Sequence, residues 1–292
     1  MGFMVKAAVT AALAVVVLGQ AGWFHPLGDS LAVLQVPALG LAALGLMLVR
    51  WRPWVRGLAG LGVAALLLLR IVDWVLPGPV PQDAVTLYQK NLRFDGVAHA
   101  DFAAEMRETA PDLITLQEVS RRNAPLLAAL AEDYATSHHC GFGGAGGTAV
   151  LSRFPAVPGS EVCLPGMAAV EVQGPQGRFW LVSVHLHWPW PYRQAAHSAE
   201  LLETLEDLDG PVVIGGDFNM VAWSYRLRSF ARASRGVLAR PLGVTLWRGW
   251  VPLPIDHVLA PCGGWRETRA ELGSDHKGVL ARIATGPECA VD

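Results

Sequence analysis

A carboxylate and a carboxamide follow a short apolar stretch in the second half of the chain. The segment Val212–Asn219 begins with three β-branched residues, which are typical of a buried strand. Residues two apart on an extended segment face the same side, so Asp217 and Asn219 are expected to point into one site. This pair suits the positioning and deprotonation of a water molecule beside a metal ion. An Asx-stabilised turn after a strand is the alternative for an isolated D-x-N sequence.

Other polar residues lie near the ends of further predicted strands. Alternating or short apolar segments indicate strands at 84–89, 113–119, 148–152, 167–172, 178–187, 253–259 and 279–283. Helices are indicated at 101–109, 123–133, 194–208 and, together with loop, at 222–238. The polar residues near the strand ends are Asn91, Glu118, His185, Asp256, Asp275 and His276. Since an α/β sandwich gathers its site residues on loops held by a rigid scaffold, we expect them to meet in one site.

Histidine and tryptophan residues cluster at one of these strand ends. His185 and His187 are two apart on a strand and face the same side; they would bind a metal, recognise phosphate or remain half-exposed bystanders. Trp188 and Trp190 follow directly in a proline-rich segment. The two tryptophans predict either a wall for an apolar or stacked substrate group, or ordinary surface packing.

A positively charged segment lies between Asp217 and Asp256, where no acidic residue intervenes. It contains Arg226, Arg228, Arg232, Arg235, Arg240 and Arg248. Such a patch is usually a solvated face, but here it neighbours the candidate site. We therefore take Arg226 and Arg228, together with Trp188 and Trp190, as candidate substrate-binding residues.

Hydrophobic residues are concentrated at the start of the chain. Over the 292 residues, 52% are hydrophobic and 16% are charged, which is too apolar for one ordinary soluble domain. Residues 1–79 carry five basic and two acidic residues, and the remainder has a net charge of −5. The predicted organisation is a membrane anchor at 1–76, a Pro-rich linker at 77–83, a single soluble domain at 84–284 and a tail at 285–292.

The anchor is predicted to contain three transmembrane helices, at about 4–23, 31–49 and 57–76. Each approaches the roughly 20 residues that a spanning helix needs, although Arg70 and Asp73 interrupt the third. A cleaved signal peptide is the alternative for the first, but no A-x-A-like site follows it. Basic residues favour the cytoplasmic side, so the arginine-rich loop at 50–56 predicts an extracytoplasmic or periplasmic catalytic domain on a multi-pass inner-membrane protein.

The cysteines agree with that location. All four lie beyond the anchor, at Cys140, Cys163, Cys262 and Cys289. An even number in an oxidising compartment permits two disulfides, with Cys140–Cys163 and Cys262–Cys289 as the first pairing to test; four unpaired thiols are the alternative. The glycine-dense segment at 141–147 lacks the lysine and the helix of a phosphate-cradling loop and is predicted to be a flexible lip.

Six short pieces of sequence together resemble the endonuclease/exonuclease/phosphatase superfamily. This group includes DNase I-like nucleases, abasic-site endonucleases, neutral sphingomyelinases and inositol polyphosphate 5-phosphatases. The pieces are Lys90-Asn91, Leu116–Glu118, Ser183–Leu186, Gly216–Asn219, Ile255–His257 and Gly273–His276. They occur in the family's order over the whole soluble domain. With its apolar N-terminal segments, the chain is most similar to bacterial membrane-anchored members.

The resemblance implies a four-layer α/β sandwich, in which two packed mixed β-sheets are flanked by helices. It also implies a hydrolase that acts on phosphate esters with the help of Mg²⁺ or Mn²⁺. By similarity, Glu118 is the principal metal ligand, with Asn91 and Asp275 beside it. Such a set of hard oxygen ligands is the one that Mg²⁺ prefers.

The resemblance assigns roles to the remaining polar residues as well. Asp217 would orient and deprotonate the attacking water, and Asn219 would fix that water or a phosphate oxygen. His276, paired with Asp256, would donate a proton to the phosphoryl group, while His185 would hydrogen-bond a phosphate oxygen as charge develops. His187 and His257 match no catalytic position and are interpreted as structural.

These patterns favour a membrane-anchored phosphoesterase that acts on nucleic acid or on a phospholipid headgroup. No equivalent of the DNA-inserting loops of abasic-site endonucleases is evident, and the net negative charge of the domain weakens the case for tight duplex binding. A lipid hydrolase like a sphingomyelinase or a phosphoinositide phosphatase is the alternative among enzymes. A non-catalytic, membrane-tethered module that binds phosphorylated ligands or a partner protein is the alternative from another class.

Overall fold

The computed structural model describes residues 2–96, 98–142 and 146–286. The strands in chain order are β1 Val85–Asn91, β2 Leu113–Val119, β3 Thr136–Cys140, β4 Gly147–Ser152, β5 Val162–Leu164, β6 Met167–Gly174, β7 Gly177–His185, β8 Val212–Asp217, β9 Val237–Arg240, β10 Leu246–Arg248, β11 Val251–Leu253, β12 Asp256–Ala260, β13 Gly264–Thr268 and β14 Val279–Ile283. The helices are α1 Gly2–Leu18, α2 Leu27–Val33, α3 Gln35–Leu48, α4 Pro53–Val75, α5 His99–Thr109, α6 Ala124–Ala131, α7 Gln194–Asp207 and α8 Tyr225–Ala233.

Twelve of the strands form one large mixed sheet, so the predicted α/β class is confirmed. Its order is β3-β4-β2-β1-β14-β13-β9-β12-β8-β7-β6-β5, and β10 and β11 form a separate hairpin. The pairs β1–β2, β7–β8 and β9–β13 are parallel, and the remaining neighbours are antiparallel. Each predicted strand of the soluble domain overlaps an observed one.

The two halves of the sheet pack face to face around a shared apolar core. Leu87 and Leu113 from one half belong to the same buried cluster as Leu181 and Val213 from the other half. Helices α5 and α6 pack on the outer face of the β1–β2 half, and α7 and α8 pack on the outer face of the β7–β8 half. Because the strands are buried on both faces, they read as nearly continuous apolar sequence.

Strand register brings the polar strand ends to the same edge of the fold. His185, the last residue of β7, is opposite Asp217, the last residue of β8. Asp217 is also opposite Asp256, which begins the antiparallel strand β12. On the other half, Asn91 at the end of β1 is opposite Gln117, one residue before Glu118. The hydrogen-bonded pairing of the strands therefore fixes the backbone positions of these residues relative to one another.

The N-terminal helices differ from the expected three spans. Within the described residues, α4 is the one helix long and apolar enough to cross a membrane, and α2 with α3 would make a second span only if this pair, bent by 65°, counts as one. The chain leaves α1 at Leu18 and turns before Trp23, so this helix has 17 residues. The bend at Leu34 divides the second predicted span, and the third lies inside α4.

Several hydrogen bonds attach these helices to the α/β domain. Asp29 Oδ1 of α2 accepts from the backbone N–H of Tyr225 at 2.8 Å, at the start of α8. The indole Nε1–H of Trp223 donates to the carbonyl of Ala32 at 2.8 Å. The N–H of Leu242 donates to the carbonyl of Asp73 at 2.9 Å. The helices and the domain are therefore in direct contact, and the Pro-rich linker is not their only connection.

The predicted disulfide between Cys140 of β3 and Cys163 of β5 is present, with the Cα atoms 5.5 Å apart. The second predicted pairing includes Cys289, and the predicted glycine lip at 141–147 includes residues 143–145; these positions lie outside the described residues. None of the cysteines in the described chain is a free thiol.

His257 lies in the core and makes stability depend on pH. Its ring donates to the carbonyl of Met220 at 2.8 Å, in agreement with the structural interpretation. Burial and the nearby Arg266 lower the pKa of His257 to about 4. The unfolded chain, in which histidine has an ordinary pKa near 6.5, binds this proton first as the pH falls. The folded state therefore loses stability between about pH 6.5 and pH 4.

We predict that His257→Gln has a shallower pH dependence of stability than the wild type. At pH 5 the linkage to His257 costs the wild type about 2 kcal/mol of unfolding free energy, and the variant avoids this cost. Thermal unfolding at pH 7.5 and pH 5 measures the difference. His99→Gln, at a partly exposed histidine of α5, is the matched control with an unchanged slope. Equal slopes for His257→Gln and the wild type would contradict the prediction.

Candidate active site

A cavity of about 600 Å³ opens at the edge of the fold where the polar strand ends meet. Six of the eight predicted catalytic and metal-binding residues line it, namely Glu118, His185, Asp217, Asn219, Asp275 and His276. Asn91 and Asp256 lie directly behind this lining and contact it through hydrogen bonds. The structure thus brings all eight predicted catalytic and metal-binding residues to one place, and their individual roles stay predictions.

The Asn91 amide connects two carboxylates at the floor of the cavity. Its Nδ2 donates to Glu118 Oε1 and to Asp217 Oδ2, both at 3.0 Å. Its Oδ1 accepts from the backbone N–H of Arg93 at 2.9 Å, which fixes the orientation of the amide. The carboxylate oxygens of Glu118 and Asp217 therefore converge on one point from two different strands.

Glu118 occupies an unusual backbone conformation. Its φ is +55°, in the left-handed region that residues with a side chain rarely adopt, and the β2–β4 pairing is irregular between Leu116 and Val119. The Glu118 carbonyl accepts from Asn123 Nδ2 at 3.1 Å, and its Oε2 accepts from the N–H of Phe94 at 2.7 Å. The strand bends here so that a carboxylate points toward the cavity, with nearby donors holding it.

Asn219 also has a positive φ, of +49°, and it orders the segment after β8. Its N–H donates to Asp217 Oδ1 at 2.9 Å, and its Nδ2 donates to the carbonyl of Leu186 at 2.8 Å. Its Oδ1 is buried and has no hydrogen-bond partner within the described chain. Because buried acceptors normally find a donor, this oxygen is suited to a water or substrate hydroxyl beside Asp217.

His276 and Asp256 form a tight buried pair. His276 Nδ1 lies 2.8 Å from Asp256 Oδ2, and Gln89 Nε2 donates to Asp256 Oδ1 at 2.9 Å. Burial alone would lower the pKa of His276, but Asp256 and Asp217 outweigh it and raise this pKa to about 10. Burial would raise the pKa of Asp256, but the nearby His276 and the hydrogen bonds that the Asp256 carboxylate accepts hold this pKa below its ordinary value.

Asp217 lies between the two histidines. Its Oδ2 is 3.7 Å from His185 Nε2 and 3.8 Å from His276 Nε2. Burial raises the pKa of Asp217 to about 7, with the positive His276 opposing the rise and Asp256 adding to it. Asp217 is thus poised to exchange a proton near neutral pH, whereas His276 carries its proton there.

The sequence analysis missed Lys90, which supports the site from behind. Lys90 is fully buried, and its Nζ donates to three backbone carbonyls, of Ala270, Glu271 and His276. Burial lowers its pKa to about 8, against the opposing effect of Asp256. Lys90 therefore holds the 270–276 segment against β1. Alternation along β1 puts Lys90 on the face opposite Asn91, and a single charged residue in an otherwise uncharged strand was the available signal.

The predicted substrate-binding residues divide into two groups. Trp188 lines the cavity, with the Arg248 guanidinium 5.2 Å from its ring centre, and Trp190 lies nearby with its side chain 46% exposed. The structure places the other two elsewhere: Arg226 Nε is 4.0 Å from Asp29 Oδ2 of α2, and Arg228 is close enough to interact with the charge of the same aspartate. These two arginines turn toward the N-terminal helices because α8 is attached to α2.

The residues at the cavity floor fit a divalent cation. The oxygens of Glu118 and Asp217 converge on the Asn91 amide, and Asp275 lines the same cavity, which gives the hard oxygen set that Mg²⁺ prefers. In the structure Asn91 presents its nitrogen at this point, so its predicted role as a ligand requires the amide to turn and present its oxygen. A second potential ligand group, Asp217 with Asp256 and His276, is already engaged in the His276–Asp256 pair.

Solved structures share this fold at low sequence identity. They include sphingomyelinase C from Streptomyces griseocarneus (17% identity, TM-score 0.55, 70% of this chain and 100% of that chain). They also include the human Nocturnin catalytic domain with bound sulfate (17%, 0.52, 70% and 94%) and D. rerio TDP2 complexed with single-strand DNA product (14%, 0.54, 69% and 99%). Identities this low show the fold alone.

No curated protein sequence matches this chain. Residues 89–276 match the family model described as the Endonuclease/Exonuclease/phosphatase family. This match covers more than half of the chain and runs from β1 to His276, so it contains every predicted catalytic and metal-binding residue. The chain therefore belongs to the Endonuclease/Exonuclease/phosphatase family.

Proposed function

We propose that this protein is a membrane-anchored, divalent-metal-dependent phosphoesterase that hydrolyses a phosphate ester by in-line attack of an activated water. One observation carries the proposal: a single cavity gathers a carboxyl group with a pKa near 7, a protonated imidazole and a convergent set of oxygen ligands. A site that only bound phosphate would need the positive groups but not a buried carboxylate poised to accept a proton.

Each residue has a role that follows from its surroundings. Asp217 accepts the proton of the attacking water, because a general base works best with a pKa near the working pH. The free Oδ1 of Asn219 holds that water. His276, kept protonated by Asp256, donates to the phosphoryl group, and His185 lies on the same wall to contact a phosphate oxygen. Mg²⁺ or Mn²⁺, held by Glu118 with Asn91 and Asp275, would neutralise charge that develops on the phosphoryl oxygens.

We further infer that the domain is a four-layer sandwich that stands on the extracytoplasmic side of a membrane. Two sheet halves packed face to face, with two helices outside each half, support the layering. The domain contacts Ala32 before α3 and Asp73 at the end of α4. The arginine-rich connection at 50–52 joins the other ends of α3 and α4, and basic loops favour the cytoplasm.

Replacing the proposed base tests the enzyme assignment. We expect full-length Asp217→Asn to hydrolyse bis-p-nitrophenyl phosphate at least about 100-fold more slowly than the wild type, because general-base catalysis contributes about 10²- to 10⁴-fold. Turnover by the wild type should require Mg²⁺ or Mn²⁺ and should stop with EDTA. The matched control is Asp209→Asn, at an exposed aspartate before the other end of β8, with unchanged turnover.

Unchanged hydrolysis in Asp217→Asn would overturn the assigned mechanism. A folded wild-type protein that binds Mn²⁺ but hydrolyses no phosphate ester would instead support a non-catalytic binding module.

Lys90 should affect turnover through the position of His276. Lys90→Met removes the donor that three backbone carbonyls share, and the buried carbonyl of His276, left without this donor, alone costs about 1–3 kcal/mol. We expect a lower melting temperature and a turnover number reduced about tenfold or more, with a KM for the soluble ester close to wild type. Lys277→Met, in the same segment, is the control that keeps both values. A destabilised Lys90→Met protein with normal turnover at low temperature would limit Lys90 to a structural role.

The membrane topology can be tested independently of catalysis. A reporter that is active only outside the cytoplasm, fused after Asp292, should be active, and one fused in the arginine-rich connection after Arg52 should be inactive. The reverse pattern would place the domain in the cytoplasm.

A further inference from the structure

A second, smaller cavity lies where the N-terminal helices meet the α/β domain. Its volume is about 190 Å³. Val33 and Val36 contribute from the α2–α3 pair, Trp74 from the end of α4, Trp223 from the segment after β8 and Trp250 from the β10–β11 hairpin. All of these side chains are hydrophobic, so the cavity offers a hydrocarbon-like surface and very little to attract water.

This apolar cavity shares a wall with the catalytic cavity. Leu246 and Trp188 line the catalytic cavity, while Val33 and Val251 line the apolar one. These four side chains belong to one packed cluster between the two cavities. The two cavities are therefore neighbours, and a single ligand with a phosphate end and an apolar chain would pass around this cluster to place one end in each.

The apolar cavity lies at one end of an exposed apolar surface formed by α3 and α4. Leu41 and Leu44 of α3 and Leu58 and Leu61 of α4 are each more than half exposed. Apolar patches of this extent are unusual on a soluble protein and mark contact surfaces. Val36 is 37% exposed and also lines the cavity, so it belongs both to the exposed apolar surface of α3 and to the cavity.

The rim of the catalytic cavity contacts α2 and the connection between α1 and α2. The hydroxyl of Ser30 donates to the carbonyl of Trp190 at 2.7 Å, and the His25 and Trp190 rings are 6.4 Å apart. Trp23 and Phe24 in this connection are 70% and 78% exposed. Exposed aromatic residues are typical of the boundary between a bilayer and water, which places the catalytic cavity at the membrane surface.

Charge at the same rim favours a phosphate. Arg193 and Arg248 line the catalytic cavity on the side of Trp188. By contrast, Arg226 lies beside Asp29, Arg228 interacts with the charge of the same aspartate, and neither arginine lines the catalytic cavity. The domain beyond residue 79 is also net negative. The two arginines at the cavity are thus available to one phosphate group bound beside the apolar cavity.

We propose that the apolar cavity is a binding site for the hydrocarbon chain of a membrane lipid whose phosphate ester occupies the catalytic cavity. This inference rests on the proposed function, because it names the substrate class of that same site. The lipid enters sideways from the bilayer along α3 and α4, its chain lies against Trp74 and Trp223, and its phosphate reaches Arg248 and the catalytic residues.

Chain-length dependence of inhibition tests this site without knowledge of the natural headgroup. We would reconstitute the full-length protein in nanodiscs and measure inhibition of bis-p-nitrophenyl phosphate hydrolysis by ethyl phosphate and by dodecyl phosphate. In the wild type, the inhibition constant should be at least about tenfold lower for dodecyl phosphate. In Val36→Trp, which fills the cavity, the inhibition constant of dodecyl phosphate should rise toward that of ethyl phosphate, so that the ratio of the two constants approaches one. Inhibition by ethyl phosphate should stay the same.

The matched control is Val237→Trp, at an exposed valine of β9 outside both cavities, and it should keep the wild-type ratio. Because dodecyl phosphate also concentrates in the nanodisc itself, an equal ratio in wild type and Val36→Trp would show partitioning alone and overturn the proposal. Equal inhibition by both phosphates in the wild type would overturn it too. A single-stranded oligonucleotide that inhibits more strongly than dodecyl phosphate would point to nucleic acid instead.

A second measurement separates this inference from the proposed function. A dodecyl phosphate carrying a diazirine at its chain end should, on illumination, label peptides that contain Val36 or Trp250, and Val36→Trp should reduce the labelling severalfold. Labelling of these peptides without any hydrolysis would contradict the proposed enzymatic function and support the lipid-binding site. Hydrolysis without this labelling, or with labelling spread evenly over the helices, would support the proposed enzymatic function and contradict the lipid-binding site.

Discussion

The candidate site depends on the compensation of negative charge among side chains that are buried from water. Like charges a few ångströms apart in such surroundings repel one another strongly. The Asn91 amide lies between Glu118 and Asp217, and the His276 ring lies between Asp256 and Asp217. Each donor serves two acceptors, so the group behaves as a unit. The pKa of Asp256 is therefore lowered and that of Asp217 is raised, because the His276 ring lies closer to Asp256 than to Asp217.

Much of this could be predicted from residue types and their order. Strands rich in β-branched residues, each followed by a carboxylate, an amide or a histidine, predicted a single site at one edge of an α/β fold, and strand register puts His185, Asp217 and Asp256 opposite one another. Local sequence carries such information because side-chain direction alternates with backbone position.

Other features could not be predicted because they arise from contacts between distant segments. The bond from the Phe94 N–H to Glu118, the bonds from Lys90 to three carbonyls and the contact of Arg226 with Asp29 all join residues far apart in the chain. The number of spans was wrong for a related reason. Hydropathy measures composition, whereas the turn after Leu18 and the bend at Leu34 depend on how α1, α2 and α3 pack against each other and the domain.

The disulfide has a topological consequence for the whole fold. Cys140 is in β3 and Cys163 is in β5, and these are the first and last strands of the twelve-stranded order. A path that starts at β3 and follows the hydrogen bonds from strand to strand thus passes through all the remaining strands of the sheet. At β5 it returns to β3 through the disulfide bond. Free strand edges are where sheets pair with other chains and where packed halves separate. Here the disulfide joins the two edge strands to each other. The sheet is therefore closed into a ring, and its two edges cannot separate while the disulfide is intact.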